Sequence, residues 1–445
     1  MTVPFHKKKR LTSFQTIIIG FAGVILVGAL ILMLPISSKN GIFTPFDEAV
    51  FTATSAVCVT GLVVQDTAGY WSVFGQSIIL ILIQIGGLGV ITVAAAFALL
   101  SGRKISLMQR STMQEAIAAP KVGGIVRLTG FVLKATFLFE LIGALAMMPV
   151  FVKDFGFKGI WMAFFHSISA FCNAGFDLMG TETAKFVSIT AYASHPVINI
   201  VIMLLIIIGG IGFLTWEDIY TNKHHFKLYR MQSKVILTTT FCLILFPAIF
   251  FFFAEYRNLP LGERLLYALF QAVTPRTAGF NTADLTIMTG AGKTIMILLM
   301  LIGGSPGSTA GGMKTTTFAV LFANAFACFS RKEDPHLYGR RIERGTVRNA
   351  STILMMYLTL FFGGAVMISV IEGLPIDICF FETASAVGTV GLTLGITPQL
   401  GMVSKSILIV LMFLGRVGGL TLIYAALSGP HKNLSKLPQE RITVG

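Results

Sequence analysis

The stretch FDEAVFTATSAVCVTGL, residues 46–62, is a short semi-apolar segment that ends in a glycine. Three others can be laid over it: IWMAFFHSISAFCNAGF (160–176), RLLYALFQAVTPRTAGF (264–280) and ICFFETASAVGTVGL (378–392). The shared glycines are Gly61, Gly175, Gly279 and Gly391, spaced 114, 104 and 112 residues apart. One unit of a little over a hundred residues therefore recurs four times, an internal repeat.

The surrounding chain fixes the environment. Of its 445 residues 54% are hydrophobic and 12% charged, and the mean hydropathy is +0.80. This is a polytopic membrane protein. A span needs about 20 apolar residues as helix, and eight runs qualify: 16–34, 73–100, 128–150, 197–216, 236–254, 293–329, 353–371 and 404–427. The basic run from Lys7 to Arg10 resembles a signal-peptide start, but the apolar run after it is long and lacks a cleavage site. It reads as a retained first helix. The five cysteines lie in or beside apolar segments, so no secreted disulfide framework is implied.

The net charge of +14 is explained by where the charges fall. With eight spans and the amino terminus inside, 22 of the 34 basic residues lie in cytoplasmic segments, against seven acids. The outer segments are acidic on balance. Both termini are thus expected in the cytoplasm by the positive-inside rule, the outer face gathers cations, and nucleic acid is not a partner.

Each unit reads as a long helix, a short re-entrant helix, a strand-like stretch through the glycine, and a second long helix. The fold class is an all-α polytopic membrane protein, with four covalently linked helix–pore loop–helix repeats around a pseudo-fourfold central pore. The repeats span residues 1–113, 114–229, 230–346 (with a broken inner helix) and 347–445 (with the carboxyl-terminal tail). A re-entrant helix of roughly a dozen residues is only about 18 Å long, so its carboxyl end stops inside the membrane. Four such ends point negative dipole poles at one place, and non-helical backbone at that depth must line a polar path. A cation is the natural occupant. Its lost hydration would be replaced by carbonyls from Val57, Cys58, Val59, Thr60 and Gly61; Phe171, Cys172, Asn173, Ala174 and Gly175; Pro275, Arg276, Thr277, Ala278 and Gly279; and Val387, Gly388, Thr389, Val390 and Gly391. A single such glycine more often just ends a helix, but four in register favour a filter.

The sixth run is interrupted at its middle by GGSPGSTAGGMKTTT: Gly303, Gly304, Ser305, Pro306, Gly307, Ser308, Thr309, Ala310, Gly311, Gly312, Met313, Lys314, Thr315, Thr316 and Thr317. It is not a Walker A loop, because Met313 separates the second glycine from the lysine. Packing alone does not explain it. Pro306 removes a backbone donor, and Lys314 would cost roughly 2.5–3.5 kcal/mol at a helix centre. Such a stretch belongs in a polar cavity, and we read it as an unwound loop across the pore, a gate. The glycines at 86, 87 and 89 and at 209, 210 and 212 read as packing sites or bends.

Three further charges stand out. Arg416 is expected to face the axis, either bonding loop carbonyls or raising a barrier to cations. Glu140 pairs with Lys134 or with another helix, or serves transport. Arg276 is expected to point away from the pore and pair with an acid. No HExxH, GxSxG or Cys/His pair suggests an enzyme, no transition-metal site is apparent, and no cofactor is expected in this chain beyond transported potassium and sodium.

Four linked pore-loop units, one glycine per loop and a Gly/Ser/Thr-rich break in the third inner helix resemble the Trk/Ktr/HKT potassium-transport superfamily, over essentially the whole chain. Length and the four filter glycines are most similar to its bacterial Ktr-type membrane pore subunit. The resemblance implies potassium uptake across the bacterial plasma membrane, with sodium required or co-permeating. It also implies an intramembrane gating loop at this position, a homodimer with one pore per protomer, and a cytoplasmic nucleotide-binding regulatory ring. The basic connections at 101–127, 221–234 and 330–348 would then face that ring or anionic membrane lipid. A proton- or sodium-coupled symporter is the alternative function.

Overall fold

The computed structural model describes residues 12–101, 105–117, 119, 121–181 and 183–419. The run Lys7–Arg10, Arg103, Lys104, Glu182 and the tail with Lys432, Lys436 and Arg441 lie outside the described residues.

Among the described residues, four helices are long and apolar enough to cross a bilayer unbroken: Ser13–Leu32, Ile125–Phe155, Met231–Glu255 and Arg344–Glu372. These are the outer helices, one per repeat. They present Leu26, Phe137, Phe246 and Val370, among others, on exposed faces, as helices bathed in lipid should. The first begins at a capping box in which Thr12 and Gln15 satisfy each other's backbone N–H.

After each outer helix the chain turns back into a short pore helix: Phe46–Cys58, Lys158–Phe171, Leu261–Val273 and Ile376–Gly388. Three of them start directly after proline, at Pro45, Pro260 and Pro375. Acids occupy the first turn of each of these, Asp47 and Glu48, Glu263, and Asp377. Proline blocks continuation of the preceding helix, and the acids suit the positive dipole end. The second pore helix instead follows Gly156, at φ +60°.

The inner helices depart from straight spans. Val73–Leu88 and Val90–Ala98 meet at 96°, and Pro196–Gly210 and Phe213–Asn222 at 98°. The third is split into Gly290–Leu301 and Thr315–Phe329. The fourth, Met402–Val417, stops at Gly418, and the rest of the expected run to residue 427 lies outside the described residues. Gly89, Gly212 and Gly418 take φ of +86°, +92° and +86° at these breaks. Each allows an angle that a side chain would oppose. The glycines one turn earlier serve packing: Gly86 abuts the Val57 carbonyl, Gly209 the Phe171 carbonyl and Gly415 the Val387 carbonyl, closer than a Cβ could stand. Bend and packing, weighed as alternatives from sequence, are both realised.

The first, second and fourth repeats therefore wedge the pore helix between an outer helix and a glycine-faced inner helix, whereas the third pore helix packs on the inner helix Pro196–Gly210 of the second repeat. The sequence boundary at 113/114 falls inside a short connecting helix, Leu107–Ile117.

Gly209→Ala puts a methyl into a backbone carbonyl that cannot swing away, so it should cost roughly 1–3 kcal/mol as overpacking does. Gly363→Ala, in the fourth outer helix with nothing within 4 Å, should be near neutral. Thermal midpoints of the two variants in detergent check the contrast, and equal midpoints would refute the wedge.

Candidate ion pathway

The four glycine stretches close on one another. A Cβ added at Gly61 would lie 2.5 Å from the Ala174 carbonyl oxygen, and one at Gly175 would lie 2.6 Å from that of Ala278. Gly279 stands even closer to the Val390 carbonyl, and Gly391 to that of Thr60. First meets second, second third, third fourth and fourth first. The contacts form a ring.

The backbone repeats as well. All four glycines have positive φ, from +69° to +93°. Two residues before each, Val59, Asn173, Thr277 and Thr389 are also left-handed, at φ +57°, +58°, +70° and +52°. These are non-glycine residues in a region that costs of order 1–3 kcal/mol apiece. Alternation of positive and negative φ turns successive carbonyls to one side of the strand. Thr60, Ala174 and Val390 each donate N–H to the carbonyl five residues back, at 2.8 Å, which ties the donors away from that side. The third stretch shifts by one residue, with Ala278 N–H on the Thr274 carbonyl at 3.0 Å. Serines lock the turns: Ser55 Oγ and Ser385 Oγ accept from Gly61 and Gly391 N–H at 3.0 Å.

Among the described residues, the carbonyls of Val59, Thr60, Asn173, Ala174, Thr277, Ala278, Thr389 and Val390 accept no hydrogen bond, although all eight residues are buried. Buried carbonyls are normally paired. Eight of them on one ring, at the carboxyl ends of four helix dipoles, form an arrangement whose chemistry suits a dehydrated cation.

Outside the ring lies a cavity of about 120 Å³ lined by all four glycines, Asp66, Asp177, Asn281 and Thr393. The loop at 183–189 straps across it. Phe186 N–H donates to Asp66 Oδ1 at 2.9 Å, and Ser188 Oγ accepts Asn281 N–H at 2.9 Å. Burial, with Asp66 nearby, raises the Asp177 carboxyl to about 7, while a bond from Met179 N–H pulls the other way.

Inside the ring, residues 303–317 cross the axis. Thr309 Oγ1 donates to the Phe171 carbonyl of the second repeat at 3.0 Å, while Gly311 and Gly312 pack on Thr389 and Gly388 of the fourth. Ser305 and Thr309 N–H bond the carbonyls of Gly210 and Gly209 at 3.0 and 3.2 Å, and the Gly307 carbonyl accepts Phe213 N–H at 2.7 Å. Lys314 Nζ caps the Ala310 and Gly311 carbonyls at 2.8 and 3.4 Å. Arg416 donates to the Thr309 carbonyl, to that of Gly86 at 2.5 Å and to that of Gly87 at 3.2 Å. One guanidinium thus joins the loop to the first and fourth repeats. Loop and arginine line one cavity of about 440 Å³, with Gly307, Ser308, Met313, Thr316 and Thr317 on its wall.

Some expected positions fall elsewhere. The carbonyls of Val57, Phe171 and Val387 abut the inner-helix glycines Gly86, Gly209 and Gly415, because these residues still belong to the pore helices or lie at their ends. Arg276 is buried with Nε unbonded, and no described acid pairs with it. Glu140 does not meet Lys134; its Oε1 accepts Gln84 Nε2 at 3.0 Å from the first inner helix, beside Cys172 Sγ at 3.9 Å. The sequence reading also missed a brace in each repeat, running from the pore helix to the segment after the glycine. These are Glu48 with Gln65, His166 with Leu178 N–H, Gln271 with Asn281 and Glu382 with Thr393. Polar residues recurring on otherwise apolar pore helices were the available signal.

Residues 6–437 match the family model described as TrkH, cation transport protein. The chain belongs to that family. It is 40% identical over 450 residues to the potassium/sodium uptake protein NtpJ of Enterococcus hirae, covering 98% of each chain. It is 38% identical to the Ktr system potassium uptake protein B of Bacillus subtilis, covering 98% of this chain and 97% of that one. The crystal structure of the potassium transporter TrkH from Vibrio parahaemolyticus superposes with a TM-score of 0.73 at 18% identity, over 96% of this chain and 87% of that one, which shows the shared fold. The protein is thus a multi-pass membrane transporter of the family that holds these potassium and sodium uptake proteins, not an enzyme.

Arg416→Lys keeps the charge but loses the fork that reaches three carbonyls. Hydrogen exchange at residues 303–317 should rise in this variant while the pore helices stay protected. Unchanged exchange in the loop would contradict the pinning.

Proposed function

We propose that the protein conducts potassium into the cell across the bacterial plasma membrane, with sodium required or co-permeating. The four-glycine ring is its filter and residues 303–317 are its gate. The observation that carries this reading is the ring of eight buried, unbonded carbonyls. A cation entering from the outer cavity exchanges its water for these oxygens, and the dipole ends of four pore helices favour its positive charge. The membrane potential supplies about 2.3 kcal/mol per charge for each 100 mV, so no catalytic group is needed. Beneath the filter the loop occupies the axis, and conduction requires it to move. Its glycines let the backbone rearrange, and Arg416 holds the closed arrangement by bonding rather than by standing free as an electrostatic barrier.

The amino and carboxyl termini lie in the cytoplasm on this reading, where the basic connections face a nucleotide-binding regulatory ring that biases the loop. Two copies form a homodimer, each with its own pore. The names of the Bacillus subtilis and Vibrio alginolyticus Ktr-system relatives support a pairing with a separate regulatory subunit.

Liposome flux tests both halves. Deleting Gly307–Gly311 should raise potassium flux in the absence of any partner, and unchanged flux would sink the gate. Gly61→Ser should bring the potassium-to-sodium ratio toward one, because the added Cβ must displace the Ala174 carbonyl; an unaltered ratio would remove the filter assignment.

The outer mouth should also respond to pH. Asp177 gains its charge as external pH rises through about 7 and loses it below, so cation uptake at low potassium should fall on acidification across that range. Asp177→Asn should flatten the profile at the low-pH level. A wild-type curve that stays flat between pH 6 and 8 would show that this carboxylate does not serve the pathway.

A further inference from the structure

Where the second inner helix bends by 98° at residues 211–212, the segment Phe213–Asn222 leaves the bundle. An apolar groove of about 490 Å³ opens against the second outer helix. Its walls are Phe131, Leu138, Phe139, Ile208, Trp216 and Tyr220, and its one charged lining residue is Lys134. Lys134 is exposed, and no carboxylate of the described residues pairs with it. Glu140, a turn and a half further along, is turned inward to Gln84. An unpaired lysine on a membrane helix is costly unless its stem snorkels toward phosphate. A greasy groove under a single unpaired cation matches one ligand chemistry, an acyl chain beneath an anionic headgroup.

The groove is also wired to the ion pathway. Phe139 and Trp216, on its wall, lie 6.2 and 5.6 Å from the Phe171 ring. The Phe171 carbonyl holds Thr309 Oγ1 of the loop. Phe213, at the start of the bent segment, donates its N–H to the Gly307 carbonyl. Anything that fixes the bent segment also fixes two of the loop's anchors.

We propose that this groove binds one anionic phospholipid of the cytoplasmic leaflet, headgroup on Lys134 and acyl chain along Phe131, Leu138 and Ile208, and that its occupancy holds the loop across the axis. The coupling rests on the gate assignment above, whereas the binding does not.

The test uses the full-length protein with Lys134→Gln, Lys134→Arg and, as a control away from the groove, Lys121→Gln. Each is reconstituted in phosphatidylcholine with or without phosphatidylglycerol. Phosphatidylglycerol retained through purification is counted by native mass spectrometry, and potassium flux is measured in the same liposomes. Wild type, Lys134→Arg and Lys121→Gln should retain the anionic lipid, and Lys134→Gln should retain about fivefold less, the value of one lysine near an anionic surface. Wild-type flux should fall when phosphatidylglycerol is added and Lys134→Gln flux should not. Equal retention by Lys134→Gln, or equal retention of phosphatidylcholine and phosphatidylglycerol by wild type, overturns the site. Cross-linking of two copies through Tyr220→Cys would give the groove to a second chain and overturns it too. Retention without a flux response overturns the coupling, and then a deletion of Gly307–Gly311 that still raises flux leaves the gate standing. A deletion without effect removes the gate and leaves the lipid result to be judged by retention alone.

Discussion

The arrangement turns on a steric constraint: at four points the backbone of one repeat closes against a carbonyl of the next, with no room for a Cβ between them. Glycine is needed there twice over, for its positive φ and for that approach. The two demands act together, because the φ that turns a carbonyl inward also exposes the α-carbon to the neighbouring stretch. Ring closure and carbonyl orientation are thus one geometric event. The strained residues two positions earlier, Val59, Asn173, Thr277 and Thr389, persist because helix ends on one side and the ring on the other over-determine them.

Outward from the ring, symmetry is kept in packing and broken in chemistry. Position for position in the sequence, Gly87, Gly210, Gly304 and Arg416 follow Gly86, Gly209, Gly303 and Gly415 in the four repeats, of which Gly86, Gly209 and Gly415 pack against pore-helix carbonyls. Three repeats leave this place empty of side chain, and Gly87 there accommodates Cys172 Sγ. The fourth fills it with a guanidinium that spans to the first repeat and to the loop. The third repeat extends its break into residues 303–317, whose anchors lie on the second and fourth repeats. The loop and its clamp therefore come from neighbouring repeats and meet below the centre. A fourfold frame with one long break and one arginine is enough to build an asymmetric plug.

What the sequence disclosed follows from where its signals are local. The repeat, the pore helices and the broken segment were legible, because proline, acids and glycine act within a few residues of themselves. Arg416 was left with two roles, and only the positions of the Gly86, Gly87 and Thr309 carbonyls choose between them. Lys134 and Glu140 sit six apart on one helix, and a helical wheel does not reveal that one faces lipid and the other Gln84 on a different repeat. The carbonyls of Val57, Phe171 and Val387, which abut the inner-helix glycines, were counted toward the filter because the end of a pore helix is blurred in sequence by a residue or two. Arg276 was given an acid on general electrostatic grounds, and the buried side chain forms no ion pair with any described acid.

The strength of the loop's hold bears on whether it can serve as a gate at all. Among the described residues, its hydrogen bonds to other repeats are three backbone bonds, to Gly209, Gly210 and Phe213, one hydroxyl bond to the Phe171 carbonyl, and the Arg416 bond to the Thr309 carbonyl. A neutral hydrogen bond contributes about 1 kcal/mol net, and one from a charged donor about 2. The total is then on the order of 5 or 6 kcal/mol, reduced by whatever bonds the displaced loop makes to water in the inner cavity. Shifting a two-state element from nearly always closed to nearly always open takes about 5.5 kcal/mol. A buried, fully packed helix in the same place would be far too costly to move, and a bare glycine linker would not close the axis. On the proposed gate reading, glycines supply the freedom and a handful of cross-repeat bonds supply the hold, so closure would be firm yet within the range that binding energy at a distant surface could reverse.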